Sequence, residues 1–371
     1  MKHLGGNSRT ASGCNFTKIT TGAIAMKTDN KRRKVSFALL PVLSAAIFAT
    51  AANANELTAW ALMPANTFAE GPTSGQFAGA GNGGNALPLI NKQPVQGVSG
   101  VLQGPTRNTF YVMPDNGFGA KTNSADALLR VYAIKPNFKT WDGSSVIGSG
   151  TISPAHFNSG CVLPEFNKNS FISLRDPNNK LGFEIVAGME FYPNGAKNIP
   201  VDPTIVAKSL LTGFDFDIES LRKDKKDHFW FGEEFGPFLV ETDKNGKVLS
   251  AEVRTPNIVP PGSSATGAEV RSPQNPNLGV NLSNLGQSRG FEGMAINPKG
   301  DMLYPLLEGT VTGDNDINST VNKNLRIGEY DIKKRRYTGN NWLYKLENDG
   351  VAIGDMTAVN HLITTLQREA I

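Results

Sequence analysis

Phe291-Glu292-Gly293-Met294-Ala295-Ile296, then Asn297-Pro298-Lys299-Gly300, then Met302-Leu303-Tyr304-Pro305-Leu306-Leu307-Glu308 read as strand, turn and strand, with a carboxylate at each outer end. Short apolar runs bounded by Gly, Pro, Asn or Asp are the pattern of strands and their turns. The layout recurs along the chain. It runs from Asp217-Ile218-Glu219-Ser220-Leu221 through Phe229-Trp230-Phe231 to Glu233-Glu234, and from Val98-Ser99-Gly100-Val101 through Phe110-Tyr111-Val112 to Asp115. Glu219 and Glu234 are fifteen apart, Glu292 and Glu308 sixteen, and Ser99 and Asp115 sixteen. A fourth copy opens at Gly354-Asp355-Met356-Thr357-Ala358-Val359 and would end at Glu369.

Other apolar segments, Leu128 to Ile134 and Leu325 to Tyr330, are equally strand-like, and only Thr204 to Leu211 suggests a turn or two of helix. The class is therefore all-β. Radial repetition of short antiparallel sheets limits exposed edges, and it predicts a β-propeller of roughly five to seven blades, with the last blade incomplete at Ile371. One β-sandwich, or a pair, would also hold four imperfect copies. Gly71 to Asn85 and Pro260 to Asn277 read as long loops, the second either a lid or a solvated insertion.

An antiparallel hairpin sets the first residue of one strand beside the last residue of the next. Each copy thus brings two polar groups together, and a radial arrangement converges Asp115, Glu219, Glu234, Glu292 and Glu308 on one mouth of a central channel. Carboxylates crowded in this way raise one another's pKa unless a cation intervenes. Oxygen donors without a His or Cys cluster suit a hard ion, Ca²⁺ before Mg²⁺. Residues 55–371 contain only His156, His228 and His361, scattered without zinc spacing. The alternative role for each acid is to bind turn amides or a neighbouring arginine. Arg289 either holds an anionic substrate group or pairs with a ring acid. Asp314 and Asp316 form a peripheral calcium loop or a plain turn. No Gly-x-Ser-x-Gly elbow occurs, and Gly79 to Asn85 lacks a P-loop lysine.

The N-terminus reads as an export signal: Lys27, Lys31, Arg32, Arg33 and Lys34 precede an apolar run from Val35 to Phe48, then Ala52-Asn53-Ala54. That divides the chain into an upstream extension with signal peptide, 1–54, and a single domain, 55–371. The expected location is periplasmic or secreted, with cleavage near Ala54 and no transmembrane anchor left afterwards. Without residues 1–54 the chain has 29 basic and 32 acidic residues, net −3, so the electrostatic footprint of a nucleic-acid binder disappears. Cys161 is the one cysteine beyond residue 54, so stability is expected to come from a core rather than a disulfide.

Val98-Ser99-Gly100 with Tyr111-Val112-Met113-Pro114-Asp115-Asn116-Gly117 resembles the secreted phytase-like family described as having esterase-like activity. So do Leu211 to Leu221 with Phe229-Trp230-Phe231-Gly232-Glu233-Glu234-Phe235-Gly236-Pro237, and Gly290 to Ala295. The resemblance covers most of residues 95–371. It implies a propeller and hydrolysis of phosphate or other esters. Together with the repeat, it leads to a metal-assisted esterase or phosphoesterase acting as a monomer on a small-molecule ester or phosphoester. Glu219, Glu234, Glu292 and Glu308 are its candidate catalytic residues. The same four with Asp115 are candidate Ca²⁺ ligands, and Arg289 a candidate substrate-binding residue. The rival is a non-enzymatic propeller of the cell envelope that binds a ligand or partner through the same channel mouth.

Overall fold

The computed structural model describes residues 58–79, 86–140, 150–193, 198–314, 324–346, 351–358 and 364–370. The export signal, Asp316 and most of the Gly79 to Asn85 stretch lie outside the described residues. Strands β1 (Ala59–Leu62), β2 (Phe68–Glu70) and β3 (Lys92–Pro94) come first, with β2 and β3 paired to each other. Next come β4 (Val98–Gln103), β5 (Phe110–Pro114), β6 (Arg130–Asn137), β7 (Lys139–Thr140) and β8 (Gly150–Pro154). They join β1 in a sheet ordered β4-β5-β6-β8-β1-β7, and β9 (Phe171–Ser173) pairs with β6. One short α-helix, α1 (Pro203–Lys208), is the only one among the described residues, with Asp202 accepting the Thr204 amide at its start.

The remaining sheets follow chain order. The second is β10 (Ile218–Lys223), β11 (Phe229–Glu233), β12 (Phe238–Thr242) and β13 (Val253–Arg254). The third is β14 (Gly293–Ile296), β15 (Met302–Leu306), β16 (Asn324–Asp331) and β17 (Arg336–Lys345). Finally β18 (Val351–Ala358) pairs with β19 (Thr364–Ala370). The molecule is all-β with almost no helix, as the sequence predicts.

The side-chain alternation of strands explains how these sheets stack. Phe229 and Phe231 point from β11 into a core shared with Met113 and Val131 of the first sheet and with Leu129 just before β6. Trp230, between them, points the other way, into a core shared with Met294, Leu303 and Tyr330 of the third. The third sheet is likewise buried on its far side, where Ala295, Leu306 and Leu325 meet Ile353 and Met356 of β18. A sheet packed face to face on both sides needs apolar residues at successive positions, which is why Phe229-Trp230-Phe231 reads as an unbroken apolar run. It also excludes a two-sheet sandwich, in which one face of each sheet meets water.

The first strands of the four sheets form a closed series of contacts: β4 on β10, β10 on β14, β14 on β18, and β18 on β4. The radial plan is therefore present. Among the described residues four sheets contribute to it, and the count of five to seven blades is not confirmed. Small residues permit the approach: a Cβ on Gly100 would lie 2.9 Å from the Leu221 Cβ.

Of Pro260 to Asn277, the part from Pro261 to Ala268 is mostly exposed, whereas the part from Val270 on is packed down. Val270 enters the core, Ser272 Oγ donates to the Phe235 carbonyl, and Asn275 Nδ2 donates to the Gly236 carbonyl, so the loop is laid over the Phe235–Pro237 turn. Asp314 is a buried counter-ion, its carboxylate gripped by Arg326 at 2.6 and 2.7 Å, and of the two readings for that loop the geometry favours a structural turn. No helix among the described residues is long and apolar enough to cross a membrane.

A close backbone approach lies just before β14, where a Cβ on Gly290 would run into Glu234 Cα and stand 2.8 Å from the Glu233 carbonyl oxygen. Gly290→Ala should therefore destabilise the fold by about 1–3 kcal/mol in urea unfolding. Gly79→Ala, with nothing within 4 Å, should change it by no more than about 0.5 kcal/mol.

Candidate active site

The inner ends of the first strands surround a cavity of about 1190 Å³, and every residue singled out from the repeat lines it: Ser99 and Asp115, Glu219 and Glu234, Glu292 and Glu308, with Arg289. Asp355, the first acid of the fourth copy, is there too, as is Arg222. The register of β18 and β19 sets Glu369 opposite Ala352; its side chain is outside the described residues.

The convergence depends on irregularity. Pairing between β4 and β5 slips between Val98 and Gly100, between β10 and β11 at Ile218 to Ser220, and between β18 and β19 at Ile353 to Met356. Ser99, Glu219 and Asp355 occupy these bulges. A bulge inserts an unpaired residue and re-aims its side chain, which is how an inner strand that packs on both faces can still deliver a polar group to the axis. In the third sheet the equivalent residue, Glu292, precedes β14 instead.

The second-strand acids are held by main-chain bonds. Glu234 N donates to the Asp217 carbonyl (2.9 Å), Glu308 N to the Gly290 carbonyl (2.8 Å) and Asp115 N to the Gly97 carbonyl (3.0 Å). The Asp115 carboxylate accepts the Gly117 amide at 2.7 Å. Glu233, next to Glu234, serves the scaffold: its carboxylate accepts the amides of Phe235, Gly236 and Phe238 at 2.6 to 2.8 Å. The sequence motif around Phe235-Gly236-Pro237 is thus a turn clasped by a buried glutamate, whose carboxyl burial pushes up to about 8 despite those amides.

Glu219 and Glu234 at the cavity wall and Asp217 behind them form a dense cluster, with carboxylate oxygens all within 4.8 Å of one another. Asp217 and Glu234 are 4% and 5% exposed, and among the described residues no Lys or Arg forms an ion pair with any of the three. Burial, then repulsion from Asp115, pushes Asp217 up to about 7. Burial, then Asp217, Glu292 and Glu308, push Glu234 up to about 9. Glu219 is raised well above the ordinary range by burial and then by Asp217, Glu292 and Glu234, with relief from a Ser99 hydrogen bond. Asp217 Oδ1 is buried without a hydrogen-bond partner. An oxygen-only donor set with an orphaned carboxylate oxygen fits a hard divalent cation.

The arginines lie elsewhere around the cavity. Arg222 donates to both Asp355 oxygens (2.8 and 2.9 Å) and to the Met356 carbonyl, tying the second sheet to the fourth. Arg289 pairs with Glu308 at 2.7 Å, so the ring-acid alternative for this residue is the one present in the structure. Its side chain is still 49% exposed and faces the cavity.

Three members of the site were not assigned from the sequence. Asp355 was visible, since it stands in the fourth copy where Glu219 and Glu292 stand in theirs. Asp217 stands one residue before β10, and its carbonyl accepts the Glu234 amide, which sets it beside that acid. Arg222 carried no signal, because nothing local marks a strand arginine as the bridge to a partner 133 residues away.

A second group, Asp224, His228 and Glu241, also brings ligand atoms within 4.8 Å of one another. There, however, Arg335 pairs with Glu241 at 2.6 Å, and Trp230 and two backbone amides bind Asp224, so the group is already neutralised as a bracket on the second sheet.

A family profile described as phytase-like, esterase-like activity of phytase, matches residues 93–370. An uncharacterized secreted protein of Arthroderma benhamiae is 26% identical over 115 residues, a stretch covering 28% of this chain and 22% of that protein. Among solved structures, the Dos1 propeller overlaps with a TM-score of 0.28 at 10% identity, covering 81% of this chain and 58% of that one. An ancestral GH74 enzyme overlaps with a TM-score of 0.22 at 15% identity, covering 85% and 40%. The architecture given above rests on strand pairing and on the packing of sheets, not on these overlaps. With the profile spanning both the repeat copies and the carboxylate cavity, the chain belongs to the phytase-like family characterised by an esterase-like activity of phytase.

Proposed function

We propose that the chain is an exported, metal-assisted hydrolase of phosphate or other esters, working at the cavity where the repeat copies meet in a propeller-type ring. The observation that carries this reading is the convergence of Asp115, Glu219, Glu234, Glu292 and Glu308 on one large cavity, with Asp217 crowded against Glu219 and Glu234 and no cation paired with these three among the described residues. Structural acids at strand ends do not need such crowding. Acids that serve only to bind turn amides behave like Glu233, each with its own donors.

Glu219 and Glu234 with Asp217 would hold Ca²⁺, with Asp115, Glu292 and Glu308 completing its shell or orienting water. Bound there, the ion would offset the carboxylate repulsion, stabilise negative charge developing on the ester and lower the pKa of an attacking water. A glutamate at the edge of the cluster, Glu292 or Glu308, would take the proton of that water as general base. Arg289, half exposed at the rim, would exchange its bond with Glu308 for a bidentate contact to an anionic ester. Such an exchange frees Glu308 as the substrate arrives. The monomeric state and an export route through the leader before residue 55 belong to the same proposal.

Turnover of a chromogenic phosphate ester and a chromogenic carboxyl ester, each with and without chelator, tests the reading. Chelator-sensitive hydrolysis of at least one is expected, with kcat reduced roughly a hundredfold or more in Glu292→Gln or Glu308→Gln. Calcium binding without turnover of either ester would instead favour the non-enzymatic binder.

The raised carboxyls also set the pH response of the protein in chelator. A carboxyl with a folded value above its unfolded one holds its proton more tightly when folded, so its contribution is fully present below the ordinary value, 4.5 for Glu234 and 3.8 for Asp217, and is lost as pH rises. For Glu234 the loss runs up to about 9, and for Asp217 to about 7. Tm should therefore fall from pH 5 toward pH 9 in chelator. Glu234→Gln should flatten the slope and Ca²⁺ should restore Tm at the alkaline end, whereas a slope unchanged by both would contradict the cluster's electrostatics.

A further inference from the structure

Beside the first sheet lies a second cavity, of about 660 Å³, which shares no residue with the carboxylate cavity and is opposite in charge. Its ionisable lining is Arg130, Lys168, Arg175 and Lys208 against Glu70 and Asp202. Neither acid neutralises a cation: Glu70 Oε1 accepts the Lys168 backbone amide at 2.5 Å, and Asp202 Oδ1 accepts the Thr204 amide at 2.7 Å. Among the described residues none of the four cations forms an ion pair. The excess of positive charge sits on a protein whose residues 55–371 carry net −3.

Arg130 is the informative residue. It is 4% exposed, on β6. Its Nη1 donates to the Glu70 carbonyl at 2.8 Å, its Nε to Ser173 Oγ at 3.2 Å, and its guanidinium carbon stands 3.8 Å from the Phe171 ring centre. The remaining acceptor is the Tyr132 hydroxyl, at the long distance of 3.5 Å. These partners orient the group and none carries negative charge. A guanidinium taken out of water without a counter-charge is costly, and the fold spends aromatic stacking and a carbonyl on holding it at the wall of an open cavity. The planar fork of arginine is suited to the tetrahedral oxygens of phosphate, and lysines at the rim add point charges. The volume lies in the range of small-molecule sites, not of a macromolecular groove.

We propose that this cavity is a second binding site, separate from the carboxylate cavity, for a small anion of the phosphate class, either free phosphate or the phosphate group of a small ester. Arg130 and Arg175 contact the anion and Lys168 and Lys208 flank it. The proposal does not depend on the hydrolase reading, since it requires no reaction and no metal.

Calorimetric titration of the whole chain in chelator at low salt, with inorganic phosphate and separately with glycerol 3-phosphate, tests it. Saturable binding of at least one anion is expected, and the tighter of the two identifies the source. The double variant Lys168→Ala/Lys208→Ala changes only exposed side chains, so it should fold, and Arg175→Ala provides a second probe. Each should weaken binding roughly tenfold, as expected for losing charge-assisted contacts. Glu292→Gln/Glu308→Gln should bind the anion as the parent does. Absence of binding by either anion, equal affinity in the lysine and Arg175 variants, or loss of binding in the glutamate variant would overturn the proposal.

Discussion

Three buried carboxylates, Asp217, Glu219 and Glu234, are pressed together by packing that leaves them nowhere else to go. Strand β10 lies between β4 and β14, its apolar residues Ile218 and Leu221 committed to the core shared with the first sheet, and the bulge at Glu219 is the outlet through which a polar group reaches the axis. The Glu234 amide is fixed to the Asp217 carbonyl and Gly290 lies against the Glu234 Cα, so neither sheet can retreat without losing the contact that holds the ring together. The repulsion is therefore built in by main-chain geometry and apolar burial, which are strong and non-adjustable, and it can be relieved only by protons or by a cation.

That constraint explains how charge is distributed around the cavity. Arg222 could have quenched the cluster but is drawn to Asp355, where it joins the second sheet to the fourth. Arg289 is drawn to Glu308 at the rim. Both arginines thus stabilise the ring from its periphery, and neither pairs with its deepest acids. Glu233 makes the contrast plain: one residue from Glu234 and just as buried, it has three amide donors and a structural task. Neighbouring glutamates in the sequence Glu233-Glu234 face opposite ways along a strand, and that alternation separates scaffold from site.

Much of this was legible before any coordinates. The recurring spacing of acids at strand ends brought Ser99, Asp115, Glu219, Glu234, Glu292 and Glu308 to one place because an antiparallel hairpin conserves which ends are adjacent, whatever the loops do. The apolar run Phe229-Trp230-Phe231 signalled a sheet covered on both faces. What stayed hidden depends on long-range or irregular geometry. Asp217 falls outside the fifteen- or sixteen-residue spacing of the paired acids and is placed by the Glu234 amide on its carbonyl, so the spacing alone does not assign it to the cluster. The Arg222–Asp355 bond joins distant strands. The packing of the second half of Pro260 to Asn277 is set by Ser272 and Asn275 meeting the carbonyls of the Phe235–Pro237 turn, an encounter that composition alone, rich in Gly, Pro and Ser, does not reveal.

The central claim is that the crowded carboxylates exist to hold a hard cation. Elemental analysis of the protein purified in calcium and exhaustively desalted, beside Glu219→Gln and Glu234→Gln variants shown to be folded, tests it most directly. Stoichiometric calcium in the parent, lost in both variants, is the predicted result; a parent without calcium, or variants that retain it equally, would contradict the account.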